Sequence, residues 1–263
     1  MKIAAENLDV YYGEKQILHC MSMAPKEGSL IGVIGPNGSG KTTLLKTLSN
    51  TLKPRAGVVY LNGSKMSDLK SREIAKNLAV VSQDTSVGFD FTVYELVLMG
   101  RTPHIGRFEK EGWADRDIAN AAMRLTNTVD LKDRLITTLS GGERQKVVIA
   151  KALSQEPNVL LLDEPTANLD IKNQIEVMTL IKNAVKSRAI TAVMAIHDIN
   201  LAARYCDEMM LLHRGEIYAI GSPKSVLTAE NIKAVFGVES IVTDGPADGS
   251  IYVVPMATLE KKS

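Results

Sequence analysis

The octapeptide Gly35-Pro36-Asn37-Gly38-Ser39-Gly40-Lys41-Thr42 constrains this chain more tightly than any other segment. It joins a short apolar run, Leu30 to Ile34, to a helical pattern that starts near Lys41. Glycines spaced in this way let successive backbone N–H groups turn inward, and a helix N-terminus adds partial positive charge, so the turn can surround phosphate oxygens. Lys41 supplies a point charge for β- and γ-phosphates, and Thr42 a hydroxyl for Mg²⁺. The expected ATP cradle therefore comprises Gly35, Pro36, Asn37, Gly38, Ser39, Gly40, Lys41, Thr42 and Thr43.

The remaining apolar runs, Leu78 to Val81, Val159 to Leu162 and Ala189 to Ile196, are short and barely alternate, as in parallel strands covered on both faces. Ile171, Ile175, Met178, Ile181 and Val185 recur at helical spacing and predict one apolar stripe against the sheet. Ile3 to Val10 and Ile17 to Met23, joined through Tyr12-Gly13-Glu14, predict an antiparallel side sheet. Gly57 to Leu61, closed by Asn62-Gly63, extends it. From about Phe89 to Pro157 strand signals vanish, and Thr92 to Met99, Ala114 to Val129 and Glu143 to Ser154 read as helices of an inserted lobe. The expected class is α/β, with domain limits of 2–240 (core about 2–88 and 158–240, helical subdomain about 89–157). A turn-rich joint, Thr243 to Gly249, lies within a short tail of 241–263.

Composition removes several alternatives. With 263 residues the chain can bury a substantial core. Its 31 Lys plus Arg against 30 Asp plus Glu give no general electrostatic reason for nucleic-acid or anionic-lipid binding. Cys20 and Cys206 have no metal-ligand or redox spacing, which points to a reducing compartment, and His19, His104 and His213 form no zinc-like cluster. An acid at Glu6 precedes any apolar run, unlike a secretory signal, and no stretch approaches the roughly 18 apolar residues of a membrane span. A soluble chain is expected, with any membrane role supplied through a partner.

Asp163 and Glu164 follow the apolar run Val159 to Leu162, so a buried strand delivers two carboxylates to the edge where open α/β sheets place ligands. Asp163 is the candidate Mg²⁺ ligand with Thr42 and Gln83, and Glu164 the candidate base that orients the attacking water. His197 and Gln83 end two further strands and reach the same edge. Leu139-Ser140-Gly141-Gly142-Glu143 is a second glycine-bearing helix start. Ser140 and Glu143 have capping-box spacing, whereas the adjacent glycines suit an anion-binding helix end.

Together these segments resemble the nucleotide-binding subunit of the ATP-binding cassette transporters, over nearly the whole chain. The resemblance implies a RecA-like P-loop NTPase core. Leu139 to Glu143 looks like the family's signature motif, Ala167-Asn168-Leu169-Asp170 its D-loop, Gln83 its Q-loop glutamine and His197 its switch histidine. Tyr12 is placed like the aromatic that stacks on adenine, and strand alternation turns Tyr11 to the other face. It further implies a head-to-tail homodimer in which Ser140, Gly141, Gly142 and Glu143 complete the partner's ATP site, with Asp170 as the D-loop aspartate. Phe89 to Tyr94 would transmit motion to an integral membrane permease on the cytoplasmic face, served indirectly by an extracytoplasmic solute-binding protein. Gly100-Arg101-Thr102-Pro103-His104, Val235-Phe236-Gly237-Val238 and Tyr252-Val253-Val254-Pro255 resemble the importers of iron-siderophore complexes, haem and cobalamin. Lys151 departs from the family's usual arginine. Alternatives are an importer of another small solute and a soluble ABC ATPase such as a cluster-assembly factor. A chromosome-organising ATPase would need a long heptad-bearing arm between Lys41 and Ser140, where no sustained heptads occur.

Overall fold

The computed structural model describes residues 1–83, 90–106, 108–245 and 249–258. The chain opens with β1 (Ile3–Tyr12), β2 (Lys15–Met23), β3 (Leu30–Ile34), α1 (Lys41–Leu48), β4 (Ala56–Leu61) and β5 (Ser64–Lys65). It continues through α2 (Ser71–Asn77), β6 (Leu78–Val81), α3 (Val93–Leu98), α4 (Trp113–Leu125), α5 (Gly141–Ser154) and β7 (Val159–Asp163). Then come α6 (Ile171–Arg188), β8 (Thr191–Ala195), α7 (Ile199–Tyr205), β9 (Glu208–His213) and β10 (Glu216–Gly221). The last elements are α8 (Pro223–Val226), α9 (Ala229–Phe236), β11 (Val238–Asp244) and β12 (Ile251–Thr258).

The central sheet has the order β10-β9-β3-β8-β7-β6, parallel except for β10. Its strands read as unbroken apolar runs because both faces are covered. Leu160 and Leu162 of β7 enter the core packed by α5 and α6, while Val159 and Leu161 enter the one shared with α1 and the side sheet. That side sheet is antiparallel in the order β2-β1-β4-β5, as its turn signals predict. Register then fixes the functional edge. Asp163 lies opposite Ala195, Val33 also opposite Ala195, and Val81 opposite Leu162. Gly35, Glu164, Ile196 and Ser82 therefore emerge together from the carboxyl ends of adjacent strands.

Between β6 and β7 the described residues form helices α3, α4 and α5, with one isolated bridge, Thr92 to Leu135. Phe89, the expected start of this lobe, lies outside the described residues. Helix α4 stops at Leu125 rather than Val129, because Asn127 takes a left-handed conformation (φ 52°) and the Thr126 hydroxyl donates back to the Ala122 carbonyl at 3.1 Å. The Gly100 to His104 segment is a structural clip. Buried Arg101 joins Asp115 at 3.0 Å, the Ser154 carbonyl at 2.8 Å and Glu156 at 2.9 Å, while His104 Nε2 donates to the Gln155 carbonyl at 2.9 Å. From the core, Arg72 donates to the carbonyls of Pro103 and Ile105.

One expectation needs correction. The apolar stripe of α6 is buried only from Val177 onward; Ile171 is 76% exposed and Ile175 38%. Eighteen helical residues span about 27 Å, against about 17 Å for a five-residue strand, so the N-terminal turns of α6 must overhang the sheet. The described part of the chain after residue 240 is largely regular structure. The boundary at 241 falls inside β11, and β11 pairs with β12 as a hairpin that buries Ile251 and Val253 in the main core. Asn200 of α7 pins it, accepting from the Val253 N–H at 2.8 Å and donating to its carbonyl at 3.2 Å. Of the expected turn-rich joint, residues 246–248 lie outside the described set, as do 259–263. Among the described residues no helix is long and apolar enough to cross a membrane.

Arg101→Ala should destabilise the chain by about 2 kcal/mol, because it removes a donor from the buried end of α5 at the Ser154 carbonyl and leaves Asp115 with the Gly112 N–H alone. Urea unfolding measures this, and an unchanged midpoint would contradict the clip.

Candidate functional site

Helix α1 begins with Gly40 as N-cap at φ 107°, and no side chain caps its first N–H groups. The backbone conformation requires glycine at Gly40, where a Cβ would also press on Leu18 Cδ2 at 2.5 Å. The uncapped N–H groups of a helix start are an anion site awaiting a partner. Below them Lys41 is buried, its Nζ donating to the carbonyls of Gly35 at 2.8 Å and Pro36 at 3.2 Å. Burial holds the Lys41 ammonium below its ordinary pKa, and the charges of Glu164 and Asp163 partly restore it. A cleft of about 440 Å³ opens here, walled by Asn37, Gly38, Thr42, Thr43 and Glu164. Lys15 and Ile17 of β2 complete the wall and escaped the sequence reading; their two-residue spacing puts them on one strand face, which is the only signal they carry.

Asp163 ends β7 and accepts from the Thr42 hydroxyl at 3.3 Å. Burial raises its carboxyl pKa above the usual range, the Thr42 hydrogen bond opposes this, and the neighbouring Glu164 charge adds to it. Glu164 sits at φ 52°, an uncommon conformation for such a residue, held by its N–H on the Ala195 carbonyl at 3.0 Å. The effect is to separate two consecutive carboxylates, Asp163 toward Thr42 and Glu164 toward other strand ends. Glu164 Oε2 accepts from Gln83 Nε2 at 3.0 Å, and Oε1 pairs with His197 Nε2. The structure thus brings Gln83, Glu164 and His197 together, and Thr42 with Asp163.

These donors fit Mg²⁺. A hydroxyl, one carboxylate and an amide oxygen are hard ligands, and Mg²⁺ commonly takes one or two carboxylates plus substrate phosphates.

Tyr12 ends β1, is 47% exposed, and lies opposite Lys15 of the cleft wall. Tyr11 is engaged elsewhere, donating to Gln16 at 2.7 Å beneath the Arg55 guanidinium, 4.2 Å from the ring centre. Ser140 to Glu143 do not line the cleft of their own chain. Ser140 caps α5 in a full capping box, and Glu143 is committed to it, accepting from the Ser140 N–H and hydroxyl, each at 2.8 Å. Asp170 is likewise the N-cap of α6, accepting from the Asn173 N–H at 2.8 Å. The capping account therefore holds for the side chains, while Ser140 and Gly141 are exposed at the helix start and Gly142 is buried behind them.

The family model described as ABC transporter matches residues 18–167, more than half of the chain. The chain belongs to the ABC transporter family. Among its ABC relatives, the cobalamin import ATP-binding protein BtuD of Halobacterium salinarum is 41% identical over 256 residues, covering 97% of this chain. This chain spans only 64% of that relative's length. The ferric enterobactin transport ATP-binding protein FepC of Escherichia coli is 36% identical over 97% of this chain and 94% of its own. Among solved ABC structures, a transporter described as of metal-chelate type, in an inward-facing conformation, superposes with a TM-score of 0.85 at 30% identity, covering 97% of this chain and 98% of its own. The dimeric ABC cassette MJ0796 gives 0.73 at 29% identity, covering 84% and 98%.

The raised carboxyl pKa of Asp163 gives a signed expectation for this cassette. The folded, ligand-free chain holds its proton more tightly than the unfolded chain, so this group's contribution to stability falls as pH rises from the ordinary Asp range through the raised value. Asp163→Asn should therefore flatten that dependence and raise the nucleotide-free melting midpoint near neutral pH by roughly 2 °C. It should also abolish added stabilisation by Mg²⁺ with ATP. Melting scans across pH, with and without both, test this; a lower nucleotide-free midpoint with full ligand stabilisation would refute it.

Proposed function

We propose that the chain is the ATP-hydrolysing subunit of an importer, driving uptake of an iron-siderophore complex, haem or cobalamin through a membrane permease. One observation carries the catalytic part: the Glu164 carboxylate is fixed at both oxygens, by Gln83 and His197, at a strand edge beside an uncapped helix start. The names of the relatives, cobalamin import and ferric enterobactin transport, support the solute class.

In this reading ATP lies along the cleft with its triphosphate on the N–H groups of α1 and Lys41, and its base near exposed Tyr12. Mg²⁺, when bound with ATP, neutralises charge on the β- and γ-phosphates, and Thr42, Asp163 and Gln83 would hold it. Glu164 orients the attacking water and accepts its proton at the carboxylate. Gln83 and His197 keep that carboxylate from rotating, which matters because phosphoryl transfer depends mainly on position and charge. Ser140, Gly141 and Gly142 offer α5's helix start to the nucleotide of a second copy, so two chains meet head to tail and each site is shared. Burial of Lys41 makes the open site electrostatically costly, and a bound triphosphate offsets that cost. The assembled pair sits at the cytoplasmic face of the membrane against the permease, with a solute-binding protein on the far side.

Glu164→Gln should retain ATP binding, lower turnover at least about 100-fold and trap an ATP-bound dimer, as size-exclusion chromatography with turnover assays would reveal. Unchanged turnover removes Glu164 as the base. The wild-type chain alone should run largely as a monomer with low activity that rises with its permease. Labelled-solute uptake in reconstituted vesicles, across iron chelates, haem and cobalamin, assigns the cargo; ATP-dependent uptake of none of them contradicts the solute class.

A further inference from the structure

The starts of α5 and α6 abut, and one side chain sits between them. A Cβ built on Gly142, in the first turn of α5, would collide with the side-chain amide of Asn173, in the first turn of α6. That amide cannot swing away freely. Asn173 Nδ2 donates to Asp170 Oδ2 at 2.9 Å, and its backbone N–H donates to Oδ1 at 2.8 Å, so both carboxylate oxygens of Asp170 are held by one residue. These two bonds, the backbone one first, keep the Asp170 carboxyl below the usual carboxylate range, and an ionised partner fixes which end of the amide faces it. The oxygen end is left against Gly142. Leu169 adds a second point of contact, its Cδ2 lying 3.7 Å from where a Gly141 Cβ would be.

One neighbour of Asn173 is the helix start that the shared-site reading directs at the partner copy; the other is Asp170, at the end of the Ala167 to Asp170 loop. We propose that Asn173 is a positioning residue that braces the start of α5 against this loop, so that Ser140 and Gly141 reach the partner's nucleotide in a fixed position. Gly142, itself buried, is then glycine because it must admit the Asn173 amide. Asn173 touches neither ATP nor the chain's own P-loop, so its influence belongs to the site across the interface. This rests on the shared site proposed above.

Differently tagged full-length chains, mixed so that one carries Lys41→Ala, leave one intact ATP site, completed by the helix start of the Lys41→Ala chain. Single-turnover hydrolysis of MgATP reads that site. Asn173→Ala placed on the Lys41→Ala chain should slow it about tenfold, the scale of one lost hydrogen bond to a charged group. The same substitution on the other chain should leave it within about twofold, and the isolated Asn173→Ala chain should bind MgATP within about twofold of wild type. Equal slowing in both placements, no slowing in either, or weakened binding by the isolated chain overturns the proposal. Ser140→Arg in the same two placements is the control. If it also shows no asymmetry, the shared site itself has failed; if it is asymmetric and Asn173→Ala is not, only the positioning role has.

Discussion

An ammonium group taken out of water organises this site. Lys41 lies buried at the foot of the glycine turn, on the carbonyls of Gly35 and Pro36, with Asp163 and Glu164 near enough to oppose its loss of charge. Carbonyls alone compensate a desolvated cation poorly. The arrangement persists because the turn connects β3 to α1, and β3 is flanked by β8 and β9 in the middle of the sheet. The surrounding core therefore holds the charge in place, and in the proposed reading a triphosphate would meet Lys41 and the N–H groups of α1 already positioned. Preorganisation of this kind is the largest part of what a protein contributes to phosphoryl transfer.

The two carboxylates depend on the same edge but divide. Left-handed backbone at Glu164 is the local device, since an extended strand would send consecutive side chains to opposite faces without placing either beside Gln83 and His197. Three strands supply the three groups: Gln83 follows β6, Glu164 follows β7 and His197 follows β8. Their meeting is a consequence of parallel register, so a shift of β7 by one residue would turn Glu164 away from Gln83 and His197.

How much of this could be read from the sequence differs by residue. Lys41 and Thr42 were legible from the glycine spacing of the octapeptide, and Asp163, Glu164, His197 and Gln83 because each follows an apolar run short enough to be a buried strand, and parallel strands end on one side. The side sheet was legible from Gly13 and Asn62-Gly63, whose turn chemistry is local. Less local facts were not. The exposure of Ile171 and Ile175 depends on α6 outrunning the sheet, the C-terminal hairpin depends on Asn200 capturing Val253, and Arg101 depends on partners 14 to 55 residues away. Periodicity reports which face a helix buries, and not how far its support extends. Asn173 was invisible for the same reason, since its contact with Gly142 joins two helix starts separated by a strand and a loop.

The most direct test of the cradle is the affinity for MgATP, measured by displacement of a fluorescent ATP analogue from wild-type and Lys41→Ala chains, with circular dichroism to establish that both are folded. The account requires a loss of at least about 100-fold, the scale expected when a charged hydrogen-bond partner of the phosphates is removed from a desolvated site. Equal affinity in two folded chains would mean that the triphosphate is held elsewhere.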